Sequence, residues 1–161
     1  MISTCRKWVE LFCCLIVCLG AGGVGALLTN PEIDGWYREL AKPSWNPPNS
    51  VFAPVWTLLF ILMGIALWRV RQSPFCPGVK YAQISFGIQL VLNVAWSGIF
   101  FAVHQPFWAF IEILFLWMAI LVTLVLFCRV SRFAGFILVP YLAWVTFATF
   151  LNFSIWQLNL S

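Results

Sequence analysis

The side chains of this sequence that could bind a ligand are tryptophans and a few polar groups set inside long apolar runs. Trp144, Ala148 and Asn152 are spaced four residues apart, so a ring, a methyl group and an amide form one stripe on a helix. Gln89 and Asn93 begin a similar stripe in an earlier run. An apolar, aromatic-lined cavity with a few convergent polar groups is the usual form of a small-molecule site. These stripes therefore predict the walls of a ligand-binding cavity.

The sequence shows no arrangement typical of hydrolytic or acid–base catalysis. Paired carboxylates, a nucleophile beside a base and clusters of metal ligands are the usual signs of such chemistry, and we find none of them. Cys14 and Cys18 share a helix face, but no second pair completes a metal site. We therefore expect no bound metal and no cofactor.

The composition determines which elements must position these residues. Hydrophobic residues make up 63% of the 161 residues and charged residues 9%, with a mean hydropathy of +0.95. A soluble domain carries about 25% charged residues, and apolar runs of about 20 residues, long enough to span a bilayer, recur here. We predict a single all-α integral membrane domain over residues 1–161, a bundle of five transmembrane helices. The predicted helices are about 9–29, 50–70, 80–102, 107–128 and 133–157, with a long loop at 30–49.

The basic residues predict the orientation of this bundle. Seven of them fall on the side of the N-terminus and two, Arg38 and Lys42, on the other side. The positive-inside rule then places the N-terminus in the cytoplasm. The first apolar run also resembles a signal peptide, but it lacks a clear cleavage site, which favours a retained span. Cys5, Cys76 and Cys128 fall on the predicted cytoplasmic side, where thiols stay reduced.

With this orientation, polar and aromatic side chains collect in the outer half of the bundle. Polar groups inside a membrane are costly and usually face a cavity or another helix. The residues that converge there are Trp56, Asn93, Trp96, Trp108, Glu112, Trp144 and Asn152.

Each of these residues also has a plainer interpretation. Asn93 and Asn152 could each join two helices, and Glu112 could be a half-buried acid bonded to a neighbouring helix. His104, in a short loop, is expected to be solvated. Tryptophans near the ends of spans are usual at the membrane interface, and this interpretation is preferred for Trp8, Trp68 and Trp156.

The long loop contains the segment 35–49, with the sequence GWYRELAKPSWNPPN. Its prolines restrict the backbone, so the loop can stay ordered without regular pairing. Trp36 and Tyr37 could cover an apolar cavity, while Arg38 and Lys42 could meet the acid of a ligand. We predict that this loop is a lid over the outer half of the bundle.

Several of these motifs resemble one known family. The segments WYRELAKPSWNPP, PVWTLLF, LNVAWSGIFF and PYLAWVTFATFLN are similar, in order, to those of the TspO/translocator protein family, also called the peripheral benzodiazepine receptor family. The resemblance covers essentially the whole chain. It implies a five-helix bundle, often a homodimer, whose cavity opens toward the first loop. Members bind porphyrins such as protoporphyrin IX, isoquinoline carboxamide and benzodiazepine drugs and, in animals, cholesterol.

The resemblance also implies roles for particular residues. The family's pocket tryptophans match Trp56 and Trp144, and its third-span asparagine matches Asn93. The animal cholesterol motif is incomplete, because Phe153 stands in place of its tyrosine and no basic residue follows. The other matching positions are Trp36, Tyr37, Pro47 and Pro48 in the lid, Ala148 beside Trp144, and Trp96 and Trp108 near the cavity.

Three functions remain open at this point. The first is a receptor or sensor that binds tetrapyrroles, with a role in their trafficking or regulation. The second is a light-dependent porphyrin-degrading enzyme in which the oxidisable Trp56 and Trp144 take part, and the third is a membrane scaffold or a sterol or lipid transporter. No histidine lies in the predicted spans to ligate haem iron, which favours a metal-free tetrapyrrole. The expected partners are a porphyrin or other apolar ligand, the lipid bilayer and a second copy of the chain, without nucleic acid. A bacterial inner membrane is favoured over an organelle membrane.

Overall fold

The computed structural model describes residues 4–73 and 78–160, and its regular structure is helical throughout these ranges. Five helices are long and apolar enough to cross a membrane, which confirms the predicted all-α transmembrane bundle. Cys76 lies outside the described residues. The elements in chain order are α1 (Thr4–Ile33), α2 (Trp36–Glu39), α3 (Asn49–Arg71), α4 (Val79–Ser97) continued by a π-helical turn (Gly98–Ala102), α5 (Pro106–Val130) and α6 (Arg132–Leu158).

The first helix is longer at both ends than the 9–29 predicted from hydropathy. α1 begins at Thr4 and ends at Ile33, and an ion pair between Arg6 Nε and Glu10 Oε1 (3.2 Å) lies in its first turns. Such pairs four residues apart support a helix outside the apolar run that hydropathy detects. The predicted loop 30–49 is correspondingly shorter, and it contains the single turn α2.

The other helices begin at residues suited to those positions. Pro106 starts α5, where the missing N–H of proline costs no helical hydrogen bond. The hydroxyl of Ser131 accepts a hydrogen bond from the Ala134 N–H (3.5 Å) and caps α6. Pro48 directly precedes α3. These short signals separate the apolar runs into distinct spans.

The helices pack so that α5 lies behind the rest of the bundle. α5 contacts mainly α4 and α6, whereas α1 contacts α3 and α4, and α3 also contacts α6. A close approach of α1 and α3 depends on Gly64, where a Cβ would lie 2.9 Å from Leu15 Cδ2. α1 is the least buried of the five spans and α6 the most. α1, α3, α4 and α6 can therefore surround a space that α5 does not reach.

Hydrogen bonds between side chains join the spans on the α5 side. Ser85 Oγ and Thr123 Oγ1 are 2.7 Å apart across α4 and α5, and Trp117 Nε1 donates to Thr146 Oγ1 (2.8 Å) across α5 and α6. Polar groups in an apolar medium need such partners. These bonds fix the relative position of α4, α5 and α6.

Candidate functional site

A cavity of about 390 Å³ lies between α1, α3, α4 and α6, in the half of the bundle next to the first loop. It contains half of the site residues that the sequence predicts. Among the described residues, the lining includes none from α5, which lies behind α4 and α6. The predicted residues that line the cavity are Tyr37, Trp56, Asn93, Trp96, Trp144, Ala148 and Asn152.

Aromatic rings on α3 and α6 form adjoining walls of the cavity. Phe52, Trp56 and Phe60 are spaced four residues apart on α3 and all line it. On α6, the ring of Trp144 meets Phe52 edge to face, with centroids 5.9 Å apart and planes at 70°. The walls offer large flat apolar surfaces, which favour stacking of an aromatic ligand. Phe52 and Phe60 were not predicted from the sequence, although their spacing from Trp56 is the same signal that indicates the α6 stripe.

Asn93 connects the cavity to a buried polar network. Its Nδ2 donates to the hydroxyl of Tyr141 (2.9 Å), which donates to Gln89 Oε1 (2.9 Å). Tyr141 and Gln89 are each only 1% exposed. In the described part of the chain, Asn93 Oδ1 makes no hydrogen bond. Asn93 thus joins α4 to α6, as its plainer interpretation expected, and it also presents a carbonyl oxygen to the cavity.

Asn152 is fully engaged with other helices. Its Oδ1 accepts from Trp96 Nε1 (3.0 Å), and its Nδ2 donates to the carbonyl of Pro106 (2.9 Å). These bonds join α6 to α4 and to the start of α5, which agrees with the interpretation of Asn152 as a link between helices. Asn152 therefore contributes to the cavity mainly by holding the ring of Trp96 in place.

The indole N–H of Trp144, a residue that lines the cavity, lacks a hydrogen-bond partner in the described structure. Trp144 Nε1 is buried, and no described residue accepts a hydrogen bond from it. Buried N–H groups in proteins are usually paired, and leaving one unpaired costs about 1–3 kcal/mol. An acceptor atom on a bound ligand would satisfy this donor.

The wall contributed by α1 is rich in small residues. A Cβ at Gly22 would lie 2.6 Å from Phe60 Cδ2, and a Cβ at Gly25 would lie 3.3 Å from Ser97 Oγ. Small residues at these positions let helices approach closely, and both glycines also line the cavity. Between α1 and α3 several lining residues are exposed, so the cavity is open on this side. The exposed lining residues are Leu19, Gly23, Ala26, Asn30, Asn49, Ala53 and Thr57.

The first loop covers the cavity through Tyr37. This side chain is buried, lines the cavity and packs on Phe100 and Phe101, with ring centroids 6.2 and 5.5 Å away. Burial raises the pKa of the Tyr37 phenol, an effect opposed by its hydrogen bond to Asn46 Oδ1 (3.2 Å). The Tyr37 hydroxyl therefore donates a hydrogen bond within the loop, and its ring lines the cavity.

Trp36 lies outside the cavity lining and fixes the loop to the bundle. Its ring stacks on His104, with centroids 4.4 Å apart, and lies edge to face on Phe100. His104 Nε2 is 2.9 Å from Glu32 Oε2. His104 is exposed, as expected, and its side chain also bridges the end of α1 and the turn α2.

The basic residues of the loop do not reach the cavity lining. Lys42 Nζ donates to the carbonyls of Arg38 (3.3 Å) and Leu40 (3.0 Å) and lies 4.6 Å from the ring centre of Tyr37. Loss of solvation by burial lowers the pKa of Lys42. Lys42 thus stabilises the carboxyl end of α2, and the exposed Arg38 is the more accessible cation. Pro47 and Pro48 also lie outside the lining.

Trp108 and Glu112 belong to α5 and are separated from the cavity. Trp108 is 59% exposed and packs on the neighbouring Phe107. The carboxylate oxygens of Glu112 are buried, and in the described structure neither has a hydrogen-bond partner. The alternative in which Glu112 bonds to a neighbouring helix is therefore wrong. Sequence spacing alone could not show that α5 packs on the far side of α4 and α6.

The described cysteines are free thiols: Cys5, Cys13, Cys14, Cys18 and Cys128. Within residues 4–73 and 78–160, no group of three or more His, Cys, Asp or Glu side chains is placed to hold a metal. The cavity lining offers stacking, apolar burial and hydrogen bonding to a ligand.

The chain is similar along most of its length to proteins of one family. The model of the TspO/MBR family matches residues 14–157. The chain is 45% identical to the tryptophan-rich protein TspO of Chlorobaculum tepidum, over 96% of this chain and 98% of that protein. It is 36% identical to the tryptophan-rich sensory protein of Cereibacter sphaeroides, over 94% and 92% of the two chains. It is 38% identical to the human translocator protein, over 84% and 82%. The family resemblance found in the sequence motifs is thereby confirmed, and this chain belongs to the TspO/MBR family.

Proposed function

We propose that this protein is a membrane sensor that binds a metal-free tetrapyrrole such as protoporphyrin IX in the cavity between α1, α3, α4 and α6. The observation that carries the proposal is the aromatic lining of the cavity, to which α3 contributes Phe52, Trp56 and Phe60 and α6 contributes Trp144. A porphyrin is a broad aromatic plate, and such plates gain both stacking and apolar burial against aromatic rings. The volume of about 390 Å³ lies in the range of small-molecule sites.

The polar atoms at the cavity support the same class of ligand. Trp144 Nε1 can donate to a ligand, and Asn93 Oδ1 can accept from one. The propionates of a porphyrin would extend toward the loop, where Arg38 is exposed. Isoquinoline and benzodiazepine compounds are also flat and largely apolar, so we expect them to compete for this cavity.

The family supports a sensory or receptor role in a membrane. Two relatives carry names that describe a sensory protein and a translocator protein. We extend these names to a proposal that the chain regulates or transports tetrapyrroles, acts as a homodimer and has its N-terminus in the cytoplasm of a bacterial cell. The seven basic residues on the N-terminal side support this orientation.

A second candidate function is the light-dependent oxidative breakdown of the bound porphyrin by dioxygen. It is favoured by the fact that two oxidisable indoles, Trp56 and Trp144, both line the cavity. Absorbance under illumination distinguishes it from binding alone, because breakdown of the macrocycle removes the porphyrin bands faster than in free porphyrin.

Equilibrium titration of the purified protein with protoporphyrin IX tests the proposal, using one substitution at two positions of α6. Ala148 lines the cavity and Ala143 is exposed. We expect saturable binding by the wild type and by Ala143→Phe, and at least about tenfold weaker binding by Ala148→Phe, because the larger ring fills the site. Saturable binding that Ala148→Phe leaves unchanged would place the ligand elsewhere. Absence of saturable binding in the wild type would refute the proposal.

A further inference from the structure

A second cleft, of about 280 Å³, lies at the opposite end of the bundle, where α1 begins and α3 ends. Its lining consists of Lys7, Trp68, Arg69 and Gln72. We propose that this cleft binds the phosphate group of an anionic phospholipid. This inference does not depend on the proposed tetrapyrrole site, because the two share no lining residue.

The charges in the cleft favour an anion. Of the five acidic residues in the sequence, only Glu10 lies at this end of the bundle. Its Oε1 is paired with Arg6 Nε (3.2 Å), and its Oε2 accepts from Gln72 Nε2 (2.7 Å). The ion pairs among the described residues include neither Lys7 nor Arg69. Two positive charges therefore line the cleft without a carboxylate to neutralise them.

Hydrogen bonds that do not involve the charged groups of Lys7 and Arg69 fix the two helices that form the cleft. Trp68 Nε1 donates to the backbone carbonyl of Lys7 (3.1 Å), and the bond from Gln72 to Glu10 joins the same two helices. The side chains of Lys7 and Arg69 then extend from fixed positions on α1 and α3. A cleft that is preorganised in the free protein loses less conformational entropy when a ligand binds.

The position of the cleft favours a lipid over a soluble phosphate. It lies at the ends of two membrane-spanning helices, at the depth of the headgroups. Beyond Lys7, α1 exposes large apolar side chains toward the bilayer, among them Trp8, Phe12 and Ile16. The guanidinium of Arg69 matches two phosphate oxygens at once, and the ammonium of Lys7 adds a point charge. Basic pockets between helices at this depth are typical binding sites for anionic headgroups.

Native mass spectrometry of the detergent-purified chain tests this inference. Dioleoylphosphatidylglycerol and dioleoylphosphatidylcholine are added separately, and the retained lipid is counted. We expect one phosphatidylglycerol to be retained in preference to phosphatidylcholine. The double variant Lys7→Gln/Arg69→Gln should weaken this binding about tenfold or more, because each cation at the membrane surface contributes about 1 kcal/mol. The charge-conserving variant Lys7→Arg/Arg69→Lys should retain most of the binding.

A second double variant controls for net charge. Lys80 and Arg132 are exposed at the same end of the bundle but lie outside the cleft. Lys80→Gln/Arg132→Gln removes the same charge and should bind phosphatidylglycerol as the wild type does. Equal loss in both double variants would overturn the proposal in favour of a diffuse surface effect. Displacement of the lipid by millimolar inorganic phosphate would show a site for free phosphate instead and would also overturn it.

Discussion

The rings of Trp36 and His104 are stacked, with centroids 4.4 Å apart and planes 14° apart. Trp36 belongs to the turn α2, and His104 belongs to the connection between the π-helical turn and α5. His104 also lies 2.9 Å from Glu32 at the end of α1. A single imidazole therefore joins three separate segments above the cavity, and the position of the loop depends on it.

We predict that His104→Asn loosens the first loop. Asparagine tolerates the positive φ of 55° found at His104, so the backbone is not strained, but the ring stack and the contact with Glu32 are lost. Together these contacts contribute about 1–2 kcal/mol. Hydrogen exchange of the amides in residues 34–46 should accelerate about tenfold. Gln105→Ala, next to His104, should leave the exchange unchanged, and equal exchange in all three proteins would contradict the role of His104.

The hydroxyl of Tyr141 should contribute measurably to stability. Tyr141→Phe removes the group that accepts from Asn93 and donates to Gln89, which leaves two buried amides short of a partner. We expect the free energy of unfolding to fall by about 1 kcal/mol and the melting temperature by about 2–4 °C. Tyr81→Phe is the matched control, because Tyr81 is 67% exposed. Equal melting temperatures for both variants and the wild type would show that the network contributes nothing.

Removal of the Glu112 carboxyl should stabilise the protein. Both oxygens are buried without a hydrogen-bond partner in the described structure, and burying an unpaired polar group costs free energy. Glu112→Met keeps a similar length without polar atoms and should raise the free energy of unfolding by about 1 kcal/mol or more. Glu112→Gln, which keeps an unpaired amide, should gain less. A loss of stability in both variants would mean that the carboxyl has a partner in the membrane.

The sequence was sufficient to predict the five spans because hydropathy over about 20 residues measures the same property that a bilayer selects. Hydropathy did not predict the residues at which the helices begin and end. α1 continues to Thr4 and to Ile33 because helical hydrogen bonds and the Arg6–Glu10 pair persist outside the apolar core. The turn α2 is a similar case, because its four residues carry no periodicity that could be recognised.

The candidate site was predictable where one helix face carries a regular stripe. Trp144 and Ala148 line the cavity as their spacing indicates, and so does Trp56. Trp108 and Glu112 lie on a helix that packs behind the site, and the depth inferred from the sequence cannot show this. Gly22, in contrast, lines the cavity but was not predicted to do so. It contributes to the wall because it has no side chain, and a residue without a side chain gives no indication of ligand binding in the sequence.

The most direct test of the proposed tetrapyrrole site compares substitutions of two tryptophans by equilibrium titration with protoporphyrin IX. Trp144 lines the cavity with a free indole N–H, whereas Trp108 is 59% exposed outside it. We predict that Trp144→Ala weakens binding about tenfold or more, through lost stacking and a lost donor, and that Trp108→Ala changes the dissociation constant less than about twofold. Unchanged affinity in Trp144→Ala, or an equal loss in Trp108→Ala, would contradict the assignment of the cavity as the tetrapyrrole site.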